Sequence, residues 1–428
     1  MKDSGIEWIG EIPEGWEIHR IKTHFSIISG SGFKPELQGQ STGDFPVCKA
    51  SDISSSGHYL HTSANYISSD IVKSQHFSII PKGSILFAKI GEAMRKNNRS
   101  LCSLDCCVDN NCQGLVPKNI SSEFSYYLFT CIDMTWFDNA GTIPCINNQK
   151  LYDCRIPFPS YDEQLLIANH LNIQCDKINE MLFHIRASIE EYKKLKQAVI
   201  MQAVTKGVRG EREMKDSGVE WADLVPLHWG VAKIGSIGQT SSGATPLRSK
   251  EASFFDDATI RWVRTLDLND GLVYDSSQKI TELALASSAC SIMPKGTVCV
   301  AMYGGAGTIG KCGLLMSDCA TNQAVCSIVC NRKIVSPIFL LMQLLALKPY
   351  WMKYAVGTRK DPNISQDVVA RMKILIPPLD EQKEITDYLD AKCAEIDGLI
   401  AKKEQLVKEL ESYKKSLIYE VVTGKREV

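Results

Sequence analysis

Between Leu171 and Tyr192 the apolar residues recur at intervals of four and three: Leu171, Cys175, Ile178, Leu182, Ile185, Ile189 and Tyr192. Helices that bury a narrow seam against a partner helix have this spacing, because seven residues make almost two turns. The pattern returns at Leu389, Cys393, Ile396, Ile400, Lys403, Val407 and Leu410, with Lys403 as a polar interruption. Its aliphatic stem can lie along the seam, or a partner carboxylate can take its ammonium group. Ser160-x-x-Glu163 has the form of a capping box, Pro377 and Pro378 precede Asp380 and Glu381, and Gly207 and Gly424 mark the ends. A helix from Asp162 to Val204 is ~65 Å long at 1.5 Å per residue, too long to be buried in one small domain. It needs a partner, and the second seam supplies one. Packed antiparallel, the two helices would place two globular domains at opposite ends about an approximate twofold axis.

The segments before the helices have a different texture. Short β-branched and aromatic runs such as GSILFAKI and GTVCVAMY alternate with Gly, Ser and Asn turns, which predicts strand-rich α+β domains. The chain is also a tandem repeat. MKDSGIEW at 1–8 returns as MKDSGVEW at 214–221, SGSGFKP at 29–35 parallels TSSGATP at 240–246, and PKGSILFAKIG at 81–91 parallels PKGTVCVAMYG at 294–304. The displacement is 213 at the start and 218 at the helices. The predicted architecture is therefore a globular domain over 1–160, a helical spacer over 161–210, a second globular domain over 211–378 and a second spacer over 379–428.

The 428 residues are 44% apolar and 23% charged, with a net charge of −1, which fits folded domains. The longest apolar stretch, IFLLMQLLAL at 338–347, is too short to span a bilayer, and MKDSGIEW lacks the apolar run of a secretory signal, so a cytoplasmic protein without a membrane partner is expected. The 16 cysteines lack matched CxxC pairs and read as reduced core thiols. Cys102, Cys106, Cys107 and Cys112 fit no common zinc spacing, and neither metal nor cofactor is expected. His58 and His61 read as solvated loop histidines.

The stretch GAGTIGKC, Gly305 to Cys312, matches both a P-loop, with Cys312 in place of Ser or Thr, and a dinucleotide fingerprint. In the first copy the aligned residues are EAMRKNNR, 92–99, a basic loop without these glycines, and the residues after Lys311 read as strands rather than a phosphate-binding helix. The two loops share a cationic and amide character instead: Arg95, Lys96, Asn97, Asn98 and Arg99 in one copy, Thr308 and Lys311 in the other. Further loops have the same mixture, with Thr142, Asn147, Asn148 and Lys150 after Gly141, and Arg359, Lys360, Asn363, Ser365 and Gln366 after Gly357. Lys49 and Arg264 align, each three residues before an aspartate, Asp52 and Asp267. Lys34, Arg248, Asn322 and Gln323 extend the set. Arg and Lys suit phosphate or guanine, and Asn suits adenine edges.

The segments KDSGIEWIGEIPEGW at 2–16, GTIGK at 307–311, ATNQAV at 320–325 and PPLDEQ at 377–382, in this order, resemble the specificity subunits of type I restriction-modification systems over essentially the whole chain. The resemblance implies two target recognition domains, each reading one half of a bipartite, asymmetric double-stranded DNA target. It implies too that the helices space these domains and dock DNA methyltransferase subunits, in two copies, with a restriction subunit in the full complex. The chain shows no Asn-Pro-Pro-Tyr, HExxH or GxSxG motif, so chemistry is expected from the partners. Residues 161–213 carry eight basic and eight acidic side chains, and 379–428 carry nine and twelve, a balance suited to protein contact. Residues 1–160 carry 14 basic and 16 acidic side chains and 214–378 carry 17 and 13, a modest field for a DNA reader. An alternative of another class is a coiled-coil adaptor whose end domains bind proteins.

Overall fold

The computed structural model describes residues 1–139, 141–247, 251–304, 307–357 and 362–428. It divides into two compact units, unit 1 from Met1–Arg186 with Gln405–Val428, and unit 2 from Ala187–Glu404.

Unit 1 is built on a five-stranded sheet of β1 (Phe25–Ser29), β2 (Tyr59–Leu60), β3 (Ile85–Ala88), β4 (Arg99–Cys102) and β5 (Cys112–Pro117), in the order β1-β5-β3-β4-β2. Unit 2 repeats it with β6 (Gly238–Ser242), β7 (Gly271–Val273), β8 (Val298–Ala301), β9 (Cys312–Leu315) and β10 (Val325–Cys330), in the order β6-β10-β8-β9-β7. In both sheets the last pair is parallel and the others antiparallel. The central strands β3 and β8 are buried at every residue, as continuous apolar runs require. A smaller sheet accompanies each. Phe45–Cys48 pairs with Cys107–Val108 and Tyr66–Ile67 in unit 1, and Ile260–Val263 pairs with Cys319–Thr321 and Lys279–Ile280 in unit 2.

The repeated octapeptide is a turn motif. Asp3 Oδ1 accepts from Gly5 N at 2.9 Å and Asp216 Oδ1 from Gly218 N at 2.8 Å, while Ser4 and Ser217 accept from the amides of Ile6 and Val219. These local bonds bend the chain between Lys2–Asp3 and Glu11–Ile12 in unit 1 and at the irregularity between Asp216 and Val219 in unit 2.

The long helices are α1 (Tyr161–Lys206, 46 residues) and α2 (Leu379–Val422, 44 residues). In unit 1 the first part of α1 packs Ile167, Leu171, Cys175, Ile178 and Leu182 into one core with Leu417, Ile418, Val421 and Val422 of α2, flanked by half-buried Val407 and Leu410. Asn179 meets Lys414 and Arg186 meets Glu411, so the α2 number falls as the α1 number rises: the segments are antiparallel. In unit 2 Ile200, Ala203 and Val204 of α1 share a core with Ile385, Leu389 and Cys393 of α2. Ile189 and Ile396 are buried, and Ile185, Tyr192 and Ile400 half-buried. Lys403, the interruption in the seam, places its ammonium 5.6 Å from the centre of the Tyr192 ring, so an aromatic face rather than a carboxylate accommodates it.

Each helix start is keyed to its own unit by the residues Glu-Gln. Ser160 and Glu163 form the expected capping box, with Ser160 N donating to Glu163 Oε2 at 3.0 Å and Glu163 N to Ser160 Oγ at 3.3 Å. Glu163 also accepts from Trp16 Nε1, and Glu381 accepts from Trp229 Nε1 at 3.2 Å. Gln164 and Gln382 are fully buried. Gln164 joins Ser121 N to Pro159 O, and Gln382 joins Ser336 N to Ile334 O and Pro377 O. Satisfying several buried backbone groups with one amide requires glutamine, since no carboxylate can donate.

Three expectations are corrected here. Residues 92–99 are not one loop, because Gly91–Arg95 is a helical turn and Arg99 begins β4. His58 is not solvated: it stacks against Tyr59 and Tyr126 with ring centroids 4.1 and 4.0 Å away. Arg99 is 5% exposed, with Nη2 donating to Ile132 O at 3.0 Å and to Asn97 Oδ1, so it braces the turn at 132–134 rather than facing a ligand. Burial pulls its pKa down to about 10. Cys48, Cys102, Cys106, Cys107 and Cys112 are free thiols packed in unit 1, and burial pushes the Cys107 thiol up to about 11. Among the described residues no helix is long and apolar enough to cross a membrane.

Candidate nucleic-acid interface

Two corners of each unit gather cationic and amide side chains. The first follows the strand Phe45–Cys48 in unit 1 and Ile260–Val263 in unit 2. Lys49 N donates to Asp52 Oδ2 at 2.7 Å, and Arg264 N to Asp267 Oδ2 at 2.8 Å. In both copies an aspartate three residues on fixes the backbone of the basic residue while leaving its side chain to differ. Lys49 Nζ donates to Gln38 Oε1 at 2.7 Å and lies 5.3 Å from the Phe33 ring centre, beside exposed Lys34. The Arg264 guanidinium lies 5.9 Å from the Trp262 ring centre and donates through Nη2 to Ser277 Oγ at 2.8 Å.

The neighbouring turn is also built alike. Asp109 N donates to Cys48 O at 3.2 Å and Asn322 N to Val263 O at 3.0 Å. Asp109 Oδ1 then accepts from Asn111 N, and Asn322 Oδ1 from Ala324 N. In unit 2 this turn brings Asn322 and Gln323 beside Arg264 in an open cavity of about 560 Å³, whose lining includes Thr245, Trp262 and Leu266. The Gln323 carbonyl accepts from the Thr245 hydroxyl.

The second corner joins the segment after the central strand to the one before the last short helix. Gly91 N donates to Pro144 O and Ile146 N to Lys89 O in unit 1, as Ile364 N does to Met302 O in unit 2. Most of the amides here hold the fold. Asn97 adopts φ 58° and accepts from Met134 N at 3.0 Å, and Asn98 Nδ2 donates to Ser54 Oγ at 3.1 Å. Asn147 caps the helix Asn148–Asp153, Asn148 Oδ1 accepts from Gln113 Nε2 at 3.1 Å, and Lys150 Nζ donates to Asp138 O at 2.8 Å. Ser365 caps Gln366–Arg371, Gln366 Nε2 donates to Thr240 O at 3.0 Å, and Asn363 pairs with Val356. Lys96 and Thr142 are exposed, Arg95 is exposed but paired with Glu92, and Thr308 and Lys311 are half-exposed. Arg248, Arg359, Lys360 and Gly305 lie outside the described residues.

The glycine loop has a structural cause. Gly310 adopts φ 77°, and a Cβ there would sit 2.2 Å from Trp351 Cδ1, so this position needs glycine for its backbone and for packing. The chain after Lys311 is β9, so the loop opens a strand and not the helix a phosphate cradle needs.

Trp262, Thr245 and Leu266 at the cavity are absent from the candidates read off the sequence. Val47 and Lys34 occupy the positions of Trp262 and Thr245 in the first copy, so the repeat gave no signal. A signal was present locally. Trp262 and Arg264 are two residues apart, where side chains of an extended segment share a face.

The family model for the type I restriction modification DNA specificity domain matches residues 13–191 and again 226–409. The chain belongs to this family. It is 23% identical to a putative type I restriction enzyme MjaX specificity subunit of Methanocaldococcus jannaschii, over 97% of this chain and 95% of that one. It is 26% identical to the MjaIX specificity subunit of the same organism, over 65% of this chain and 63% of the relative. A chain from a solved structure of a type I R-M system, concerned with complex assembly and conformational transition, has the same fold. Its TM-score is 0.72 at 16% identity, covering 97% of this chain and 100% of that one. The two segments matched by the family model each include one corner built on Lys49 or Arg264 and part of one long helix.

Proposed function

We propose that the chain is the DNA sequence-specificity subunit of a type I restriction-modification assembly, reading two half-sites of a bipartite, asymmetric double-stranded target and making no bonds itself. The observation that carries this reading is the duplicated first corner. The same aspartate lock holds a lysine beside Phe33 in one unit and an arginine beside Trp262 in the other. A common scaffold with different presented side chains is what two readers of unlike base sequences need. The globular domains are assigned to 1–160 and 211–378 and the spacers to 161–210 and 379–428. Of the cationic and amide residues in the two corners, Lys34, Lys49, Lys96, Arg264, Lys311, Asn322 and Gln323 are the proposed DNA contacts.

The helices are the proposed docking sites for two copies of a methyltransferase subunit, with the restriction subunit joining through them, in the cytoplasm. Met181 of α1 and Leu399 of α2, 218 residues apart, are both exposed, as are Leu195 and Tyr413 at the same displacement. Apolar residues left in solvent at matching positions of a repeat fit two identical partners. Co-expression of the chain with its methyltransferase subunit, followed by mapping of methylated bases, is expected to return a two-part motif with a fixed unspecified gap. Methylation at scattered sites without such a motif would refute the reading.

The charge balance adds a quantitative expectation. Net charges of −2 over 1–160 and +4 over 214–378 are small for a protein that clamps phosphates alone. The purified chain is expected to bind a random duplex weakly, with a shallow dependence of log affinity on log salt, and the methyltransferase complex to bind tightly with a steeper slope. Binding isotherms at three or more salt concentrations measure both.

A further inference from the structure

We propose that Arg264 reads the major-groove edge of one guanine in the half-site recognised by unit 2, with Asn322 and Gln323 flanking it in the same cavity. The inference rests on the DNA-reading function proposed above, and adds to it a specificity-determining residue and its base. Three features of the site carry it.

The side chain is held in place before any ligand arrives. Trp262 lies beside the guanidinium and Ser277 Oγ takes Nη2, which fixes the direction of the fork. No ion pair joins it to Asp267, whose carboxylate oxygens accept backbone amides, Oδ2 from Arg264 and Oδ1 from Ser277 at 2.9 Å.

The fork also has donors to spare. Among the described residues Nη2 is bonded to Ser277 Oγ and Nη1 to none. A guanidinium carries five N–H donors, so its terminal nitrogens keep donors for an acceptor from outside the chain.

The third feature is the company Arg264 keeps. The side-chain amide nitrogens of Asn322 and Gln323 are unbonded among the described residues, where only their side-chain oxygens are engaged. A guanidinium fork next to amides in a recess matches base edges, of which guanine presents two acceptors, N7 and O6, to a bidentate arginine. In unit 1 the aligned Lys49 is a point charge already bonded to Gln38 and has no planar fork to present.

The test uses the complex of the full chain with its methyltransferase subunit and a panel of duplexes in which each base pair of both half-sites is changed in turn. The wild-type complex is expected to discriminate about tenfold to a hundredfold at one G·C pair through Arg264. Arg264→Ala should lose that discrimination alone, keeping its preferences at every other pair and throughout the other half-site. Arg264→Lys should reduce it, because an ammonium lacks the oriented fork, and decides the matter if the alanine variant fails to assemble. An unchanged panel for either variant overturns the proposal, as does a uniform loss in the alanine variant that lysine restores, which identifies a phosphate contact. In these cases the bipartite wild-type motif still stands, whereas a wild-type complex without such a motif removes the function and this inference together.

Discussion

Glu381→Ala is expected to destabilise unit 2 by about 3–5 kcal/mol, the cost of removing one partner from a buried ion pair. The Glu381 side chain is 3% exposed and that of Arg212, its partner at 2.8 Å, is 15% exposed. The same carboxylate accepts from buried Trp229 Nε1, so alanine would strand that donor and the Arg212 guanidinium, while half-exposed His228 and Arg209 would turn to water. Glu163→Ala removes the corresponding residue of unit 1, whose carboxylate serves an exposed capping box, and should cost only about 1 kcal/mol. Hydrogen exchange resolved by residue checks both numbers, since each unit reports its own opening. The pair also has a pH signature. Burial pushes the Glu381 carboxyl up, but Arg212, His228 and Trp229 outweigh it and hold the value below the usual carboxylate range. A carboxyl depressed in the folded state stabilises fully above its unfolded value, and that stability is lost as pH falls through the folded one. Unit 2 of Glu381→Gln should therefore lose less stability on acidification than wild type.

A change of four residues in both long helices is expected to alter the gap in the methylated motif while leaving its two half-sites intact. Four helical residues rise about 6 Å, equivalent to roughly two base pairs of duplex at 3.4 Å each. The insertion belongs between Arg186 and Ala187 in α1 and between Glu404 and Gln405 in α2, where the units divide, so that each packed seam keeps its own register. On the proposed function the helices set the distance between the reading domains, and the gap moves by one or two base pairs. Mapping methylated sites for the lengthened chain measures this. An unchanged gap would mean that the helices do not determine it, and new half-sites would mean that the insertion disturbs the domains themselves.

Helices and repeats were the legible part of this protein. The four-three spacing of Leu171 to Tyr192 depends only on which residues can be removed from water on one side of a helix, a property carried by the local sequence. The capping box at Ser160 is local too, as is the Asp-Ser-Gly turn, whose bonds join residues two apart. The aligned Lys49 and Arg264 were found because their aspartates lie three residues away. The roles of the loop asparagines were not legible. Asn97 and Arg99 look like surface contacts in the sequence, and both instead hold the turn at 132–134, more than thirty residues away.

By itself the sequence determined the periodicity of the helices, the duplication, the turn motifs and the family to which these belong, because each depends on neighbouring residues or on the likeness of one segment to another. Tertiary structure decided which cations face inward, that Lys403 rests on Tyr192, and that Trp262, Arg264, Asn322 and Gln323 share one cavity. The Lys403 contact joins two helices, and the cavity joins a strand end to a turn some sixty residues on. The cavity follows from the pairing of Trp262 and Val263 with Ala320 and Thr321, a register that neither segment records alone, since a shift of one residue would exchange the two faces.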